Sequence, residues 1–204
     1  MEEAREERSR REETEERFLD AAERLLVEVG YAGISTRRLA EEAGANHGLV
    51  HYYFGSMEEL FLRVLERFTS RLIERQRALY DSDRPYLEKW REAMRYLDDD
   101  RESGYQKIWY ELQAMAWNRP EMRARLAPVL AQWKSAMRDA VRAALRDYAV
   151  DAEPFTAEDW VTLIVTFNEG IILERLSGID EGHRDLLAAI DRWLAARAGE
   201  EAEP

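Results

Sequence analysis

Between Ser35 and Phe54 the chain leaves room for only two short helices, and this stretch constrains its fold more than any other. Ser35 is a good N-cap, so a first short helix starts after it and runs to Ala43. Gly44 ends that helix, and Asn46 can cap a second one carrying His47 to Phe54. Longer helices brace the pair on either side. On the N-terminal side Phe18, Leu19, Ala22, Leu25, Leu26 and Val29 fall on one helical face, with Gly30 where a C′ glycine is expected. On the C-terminal side Ser56 and Glu59 make a capping box. The helix they open has the apolar face Leu60, Phe61, Val64, Leu65, Phe68 and Leu72. The buried stitches between the short helices are expected to be Leu39, Ala40, Ala43, Leu49, Val50 and Phe54.

Two short helices joined by a tight glycine turn form a helix-turn-helix pattern. In such a unit the first helix crosses the DNA backbone and the second enters the major groove. The net charge of −12, from 30 basic and 42 acidic residues, argues against this on its own, because phosphate binding needs a positive face. Over residues 31–56 the count is neutral, Arg37 and Arg38 against Glu41 and Glu42. The acidity can therefore sit elsewhere, and specific binding has to lean on hydrogen bonds and helix N-termini.

No stretch alternates apolar and polar residues long enough for a strand, so the 204 residues read as all-α. With no cysteine there is no disulfide, thiolate metal site or Cys nucleophile. No run of about 18 apolar residues exists to span a membrane, and the opening MEEAREERSRREETEE is too charged for a signal peptide. We expect a soluble, cytoplasmic chain without membrane contact. There is no G-x-S-x-G, G-x-G-x-x-G or P-loop, so an enzyme is not expected. His47 and His51 have an i, i+4 spacing that can hold a metal, but no carboxylate completes an H-E-x-x-H site. Neither a metal nor a cofactor is expected. Protonation of these histidines would add positive charge as pH falls.

Residues 1–11 read as a charged, flexible arm, 12–72 as a DNA-binding domain with its motif at about 35–54, and 73–204 as a second helical domain. The arm is read as a solvated, frayed helical extension, with an arm touching DNA phosphates as the alternative, against which its excess of Glu over Arg counts. Beyond residue 80 helices are expected over about 85–99, 104–117, 120–148 (with a bend at Pro128), 156–177 and 182–198, then a frayed tail. Trp109, Gln113 and Trp117 are spaced i, i+4, i+8 and share a face. A Gln between two Trp suits an apolar pocket with one orienting polar group, although aromatic residues at this spacing also serve as plain core. The helix with Val161, Ile164, Phe167, Ile171 and Leu176 is apolar on more than one face, and Leu186, Leu187, Ile190, Trp193 and Leu194 stripe the last helix. Asn168 and Glu169 interrupt the apolar run; they reach a pocket, pair across an interface or face solvent.

The stretch from Arg17 to Leu65 resembles the N-terminal domain of the TetR family of bacterial transcriptional regulators. The features are FLDAA from Phe18, then Gly30-Tyr31, S-T-R-R-L-A from Ser35, A-G-A-N-x-G-L-V from Ala43, Tyr52-Tyr53-Phe54, and S-x-E-E-L-F from Ser56. The resemblance implies a three-helix DNA-binding domain joined by a long helix to a ligand-binding and dimerisation domain. It implies a regulator of double-stranded DNA, most simply a homodimeric repressor on a palindromic operator that a small apolar or aromatic effector releases. An effector-independent regulator or activator, or a helical carrier without DNA binding, are the alternatives.

The candidate DNA contacts are Thr36, Arg37 and Arg38 in the crossing helix, and Asn46, His47, Gly48, Leu49, His51, Tyr52 and Tyr53 around the reading helix. Asn46 can equally serve only as a cap, Tyr53 can equally pack on the first helix, and the two arginines can be solvated charge. Gly48 inside a helix costs about 1 kcal/mol relative to Ala, which close approach to the duplex would offset. The family commonly has Tyr where this chain has His51, and Lys where it has Met57. The effector pocket implied in the second domain has Trp109, Gln113, Trp117 and Asn168 as candidates. The implied dimer interface, a four-helix bundle, has Trp160, Ile164, Phe167, Gly170, Ile171, Leu187, Ile190, Trp193 and Leu194.

Overall fold

The computed structural model describes residues 2–149 and 153–199, and among these it shows α-helices joined by turns and one 3-10 turn, with no strand. The helices are α1 (Glu2–Val29), α2 (Thr36–Glu42), α3 (Gly48–Phe54), α4 (Met57–Tyr80), α5 (Tyr86–Glu102), α6 (Tyr105–Trp117), α7 (Pro120–Asp147), α8 (Ala157–Leu176) and α9 (His183–Ala198). A short 3-10 turn, Tyr31–Gly33, follows α1. No helix among the described residues is long and apolar enough to cross a membrane. Of the tail expected to fray, 199–204, residues 200–204 lie outside the described residues.

Local chemistry accounts for several helix ends. The Ser35 hydroxyl accepts the Arg38 N–H at 3.2 Å and opens α2. Gly44 takes φ +61°, a left-handed value that a side chain would resist, and so closes the turn between α2 and α3. Ser56 accepts the Glu59 N–H at 3.1 Å and starts α4. Thr156 and Asp159 cap α8 reciprocally, and these hydrogen bonds hold the Asp159 carboxyl below its ordinary pKa. Pro128 sits inside α7, which continues through it.

From Glu2 the charged arm is helical, in line with the helical extension expected there, and continuous with α1. The residues there are good helix formers, and i, i+4 ion pairs line them up: Arg8 with Glu12 and Arg11 with Glu15, both at 3.0 Å, and Arg10 with Glu6 at 3.7 Å.

The chain packs as two compact units. The first runs to Arg71 and takes in Gly104–Leu126; the second holds Leu72–Ser103 and the chain from Ala127 on. The stretch 104–126, expected in the second domain, therefore packs with the first. The reason is a set of polar ties from α6 and the turn after it to the end of α1. Lys107 Nζ donates to the Val27 carbonyl. Glu111 accepts the Tyr31 N–H at 3.0 Å, and Arg119 donates to the Tyr31 hydroxyl at 2.9 Å. Gly30 (φ +67°) gives Glu111 room, since a Cβ there would lie 2.6 Å from its Oε1.

The first unit's core is Phe18, Leu25, Leu26, Leu39, Val50, Leu60, Phe61, Leu65 and Phe68, all buried. Leu39 and Val50 bury the inner faces of α2 and α3 against α1 and α4, which leaves the opposite faces in solvent. Arg67 on α4 bonds Glu16 at 2.7 Å and Asp20 at 2.8 Å, and pairs with Glu23 at 2.9 Å, fastening α4 to α1. In the second unit Leu87 and Trp90 of α5 pack with Leu194 and Ala195 of α9. Met137 and Val141 of α7 pack with Val161 and Val165 of α8.

Candidate nucleic-acid interface

The first unit brings the ten candidate DNA contacts to α2, α3 and the turns around them. Arg37, Arg38, Asn46, His47, Gly48, His51 and Tyr52 are exposed, and Thr36, Leu49 and Tyr53 are half-buried. Tyr52 is 69 % exposed, unusual for a ring with nothing to bury against. Arg37 donates Nε–H to Glu41 at 2.8 Å, and that bond lifts its pKa further above the ordinary arginine value. In the free protein its charge is thus partly answered by its own helix.

The turn before α3 differs slightly from expectation. Asn46 does not occupy the cap position; His47 does, with no cap bond of its own. The Asn46 side chain still accepts a helix-start amide, Gly48 N–H at 2.9 Å. Nothing in the chain needs glycine at 48, since a Cβ there would meet only Asn46 Oδ1, at 3.5 Å. His51 Nδ1 lies 3.0 Å from the Gly55 carbonyl, which can only accept, so Nδ1 carries the proton. Its Nε2 is then an acceptor in the neutral ring and a donor in the charged one. Tyr53 does pack on the first helix: its ring lies 6.4 Å from Phe18 and 5.0 Å from Tyr52. Among the described residues no group of three or more His, Asp or Glu could hold a metal.

The second unit contains an apolar cavity of about 460 Å³ walled by α5, α7, α8 and α9. Its aromatic walls are Tyr86, Trp90, Tyr148, Trp160, Phe167 and Trp193, and among the described residues no charged side chain lines it. Burial, with the Tyr148 phenol nearby, pushes the Tyr86 phenol up to about 12, so it stays neutral. Tyr148 accepts the Leu87 N–H at 2.9 Å at the start of α5.

The four effector candidates do not line this cavity. Trp109 is buried in the first unit, its ring parallel to Phe68 at 6.3 Å. Gln113 is half-buried beside it on α6 with no hydrogen-bond partner for its Nε2, and Trp117 is 69 % exposed. Asn168 is half-buried on α8, and its Oδ1 has no hydrogen-bond partner. The cavity is walled instead by residues expected at the dimer interface: Trp160, Ile164, Phe167, Ile190, Trp193 and Leu194. Ile171 and Leu194 are each 4 % exposed, already covered by the chain's own packing. Leu187 is half-buried and packs toward α5, while Gly170 is exposed. Sequence reasoning missed Tyr86, Trp90 and Tyr148. The i, i+4 spacing of the first two on α5 was the available signal.

Comparison with known proteins agrees with this geometry. A family model described as bacterial regulatory proteins, tetR family, matches residues 18–64. An uncharacterized HTH-type transcriptional regulator of Mycobacterium tuberculosis is 32 % identical over 148 residues, covering 69 % of this chain and 72 % of the relative. The HTH-type transcriptional repressor AcnR of Corynebacterium glutamicum is 37 % identical over 57 residues, 28 % of this chain and 30 % of that protein. Among solved structures, a putative transcriptional regulator from Saccharomonospora viridis in complex with choline superposes with a TM-score of 0.73 at 18 % identity, covering 91 % of this chain and 96 % of that one. A putative TetR-family regulator from Rhodococcus gives 0.68 at 22 % identity, covering 88 % and 97 %. With its helix-turn-helix face exposed and its sequence aligned across most of a curated regulator, the chain belongs to the TetR family, and it is a DNA-binding transcriptional regulator rather than an enzyme.

Proposed function

We propose that the chain is a homodimeric repressor that a small apolar or aromatic molecule releases from a palindromic operator. The aromatic cavity of the second unit carries this reading. Its volume of about 460 Å³ suits a small molecule, and its uncharged walls favour an apolar body over an anion, which would find no counter-charge there. The choline bound to the Saccharomonospora neighbour supports small-molecule binding by a chain of this fold. The repressor named among the Corynebacterium relatives supports the sign of regulation.

The dimer rests on the exposed apolar face of α8 and α9, which shares Leu163 and Trp193 with the cavity rim. Leu163, Leu173, Leu176, Ile179, Leu186 and Trp193, on α8, α9 and their connection, are 41–55 % exposed. So much large apolar surface on two neighbouring elements is normally covered by a partner. A Cβ at Gly170 would meet nothing within 4 Å, so no contact inside the chain requires the glycine. A closely packed partner helix would. In a dimer two copies of α3 can reach successive major grooves.

By linkage, effector and operator must weaken each other by the same factor. The test is a screen of uncharged aromatic compounds for a rise in melting temperature, followed by operator affinity with and without each hit. Hits that lower operator affinity, with operator lowering hit affinity equally, support the reading. Hits that bind without changing operator affinity contradict it.

A further inference from the structure

We infer that the N-terminal extension of α1 belongs to the DNA interface, and that Arg8 and Arg11, with Tyr52 and Tyr53, form a cleft for a DNA backbone phosphate beside α3. This inference rests on α3 being the DNA-reading helix. It adds residues that lie outside the matched family region, which begins at residue 18.

The extension is one continuous helix with the rest of α1, which places its arginines beside α3. The Arg11 guanidinium carbon lies 5.7 Å from the centre of the Tyr53 ring and 6.0 Å from that of Tyr52. An open cleft of about 620 Å³ lies between the extension and α3, lined by Arg8, Arg10, Arg11, Tyr52 and Tyr53 together with Glu7, Glu12 and Glu15. Arg8 and Tyr52 point largely into solvent, with the Arg8 side chain 81 % exposed.

Charge decides whether a phosphate is welcome. The extension as a whole is acidic, but its charges are not evenly spread. Three arginines and three glutamates line the cleft, whereas Glu6 and Glu13 do not. The ion-pair partners of Arg8 and Arg11 among the described residues are their i, i+4 neighbours, the exposed Glu12 and the half-buried Glu15. Such pairs are weak and screened by salt, so a phosphate can displace the carboxylates. A guanidinium fork matches phosphate oxygens in pairs, and phenol hydroxyls donate to them as well. The helix-turn-helix itself supplies little net charge, because Arg37 is engaged with Glu41. The Arg11 guanidinium of the extension lies over the rings of Tyr52 and Tyr53 on α3.

The test uses the full chain and two labelled duplexes, one operator selected from a random library and one scrambled, titrated over a range of salt. The Arg8→Ala/Arg11→Ala double variant should lose on the order of tenfold or more on both duplexes, and its log–log salt slope should be shallower by roughly two. Arg11→Lys, which keeps the charge and loses the fork, should keep the wild-type slope. Arg142→Ala, in the second unit, should change nothing. Melting curves of each variant check that it is folded. A wild-type slope in the double variant overturns the inference while leaving the reading of α3 intact. So does a loss confined to the operator, which would mean that Arg11 only orients the tyrosines. Wild-type protein that binds neither duplex at low salt overturns both.

Discussion

At the scale of single residues, the groups that matter most are those the fold itself does not need. Gly48 is the plainest case, since a side chain there would make only ordinary contacts in the free protein. Gly48→Ala should therefore melt at the same or a slightly higher temperature, because Gly48 is the first residue of α3 and gains less than the about 1 kcal/mol of a helix interior. It should nonetheless bind operator more weakly, by about 1–2 kcal/mol, if the backbone at 48 lies against the duplex. An Ala variant with unchanged affinity would remove Gly48 from the interface. Tyr86 makes the opposite case, a residue whose burial is felt as stability. Its phenol is pushed up to about 12 when folded, against about 10 in an unfolded chain. The resulting stabilisation, roughly 2–3 kcal/mol, is complete below pH 10 and is lost as pH rises through 12. Denaturant melts between pH 9 and about 12 should show this decline, and Tyr86→Phe should make it shallower, the remainder coming from Tyr80, whose phenol burial also pushes up. An identical decline in the variant would place the titrating group elsewhere.

At the scale of elements, α1 and α4 form a frame that holds the two short helices, and Arg67 is its main polar fastening. Burial works against its charge, but Glu23, Glu16 and Asp20 outweigh that and hold its pKa above the ordinary value. Arg67→Ala leaves these carboxylates crowded around an empty position and should cost about 2 kcal/mol in chemical denaturation. A change within a few tenths of a kcal/mol would show the cluster to be solvated instead. The short helices were legible in the sequence because their determinants are local: Ser35, Gly44 and Ser56 act within a few residues of themselves. The extension of α1 was less so. Its glutamates and arginines read as a solvated run, and only their i, i+4 register shows that they make a helix. The place of α6 was not legible at all, because Glu111 and Tyr31, or Lys107 and Val27, meet across eighty residues. The same is true of the cavity. Tyr86, Trp90 and Trp193 become neighbours only when α5 packs on α9, so spacing along α6 could not point to it.

At the scale of the whole molecule, acidity, dimerisation and DNA reading have to be compatible. The net charge of −12 makes non-specific DNA binding weak, which favours a regulator that holds only sites its reading helices fit. In the dimer we propose, the interface is built from apolar residues that the chain leaves exposed, so Leu173→Glu, at a position 55 % exposed on α8, should leave the monomer folded and raise the dimer dissociation constant by a hundredfold or more, on the order of 3 kcal/mol. Light scattering across a dilution series measures this, and an unchanged dimer would move the interface off that face of α8. The most direct test of the account as a whole is selection of DNA from a random duplex library by the wild-type protein at near-physiological salt, followed by sequencing. The account predicts enrichment of a two-fold symmetric site whose half-sites are centred about one helical turn apart, or a multiple of it. Recovery of unselected sequence, or of a single asymmetric half-site, would contradict a dimeric, operator-reading regulator.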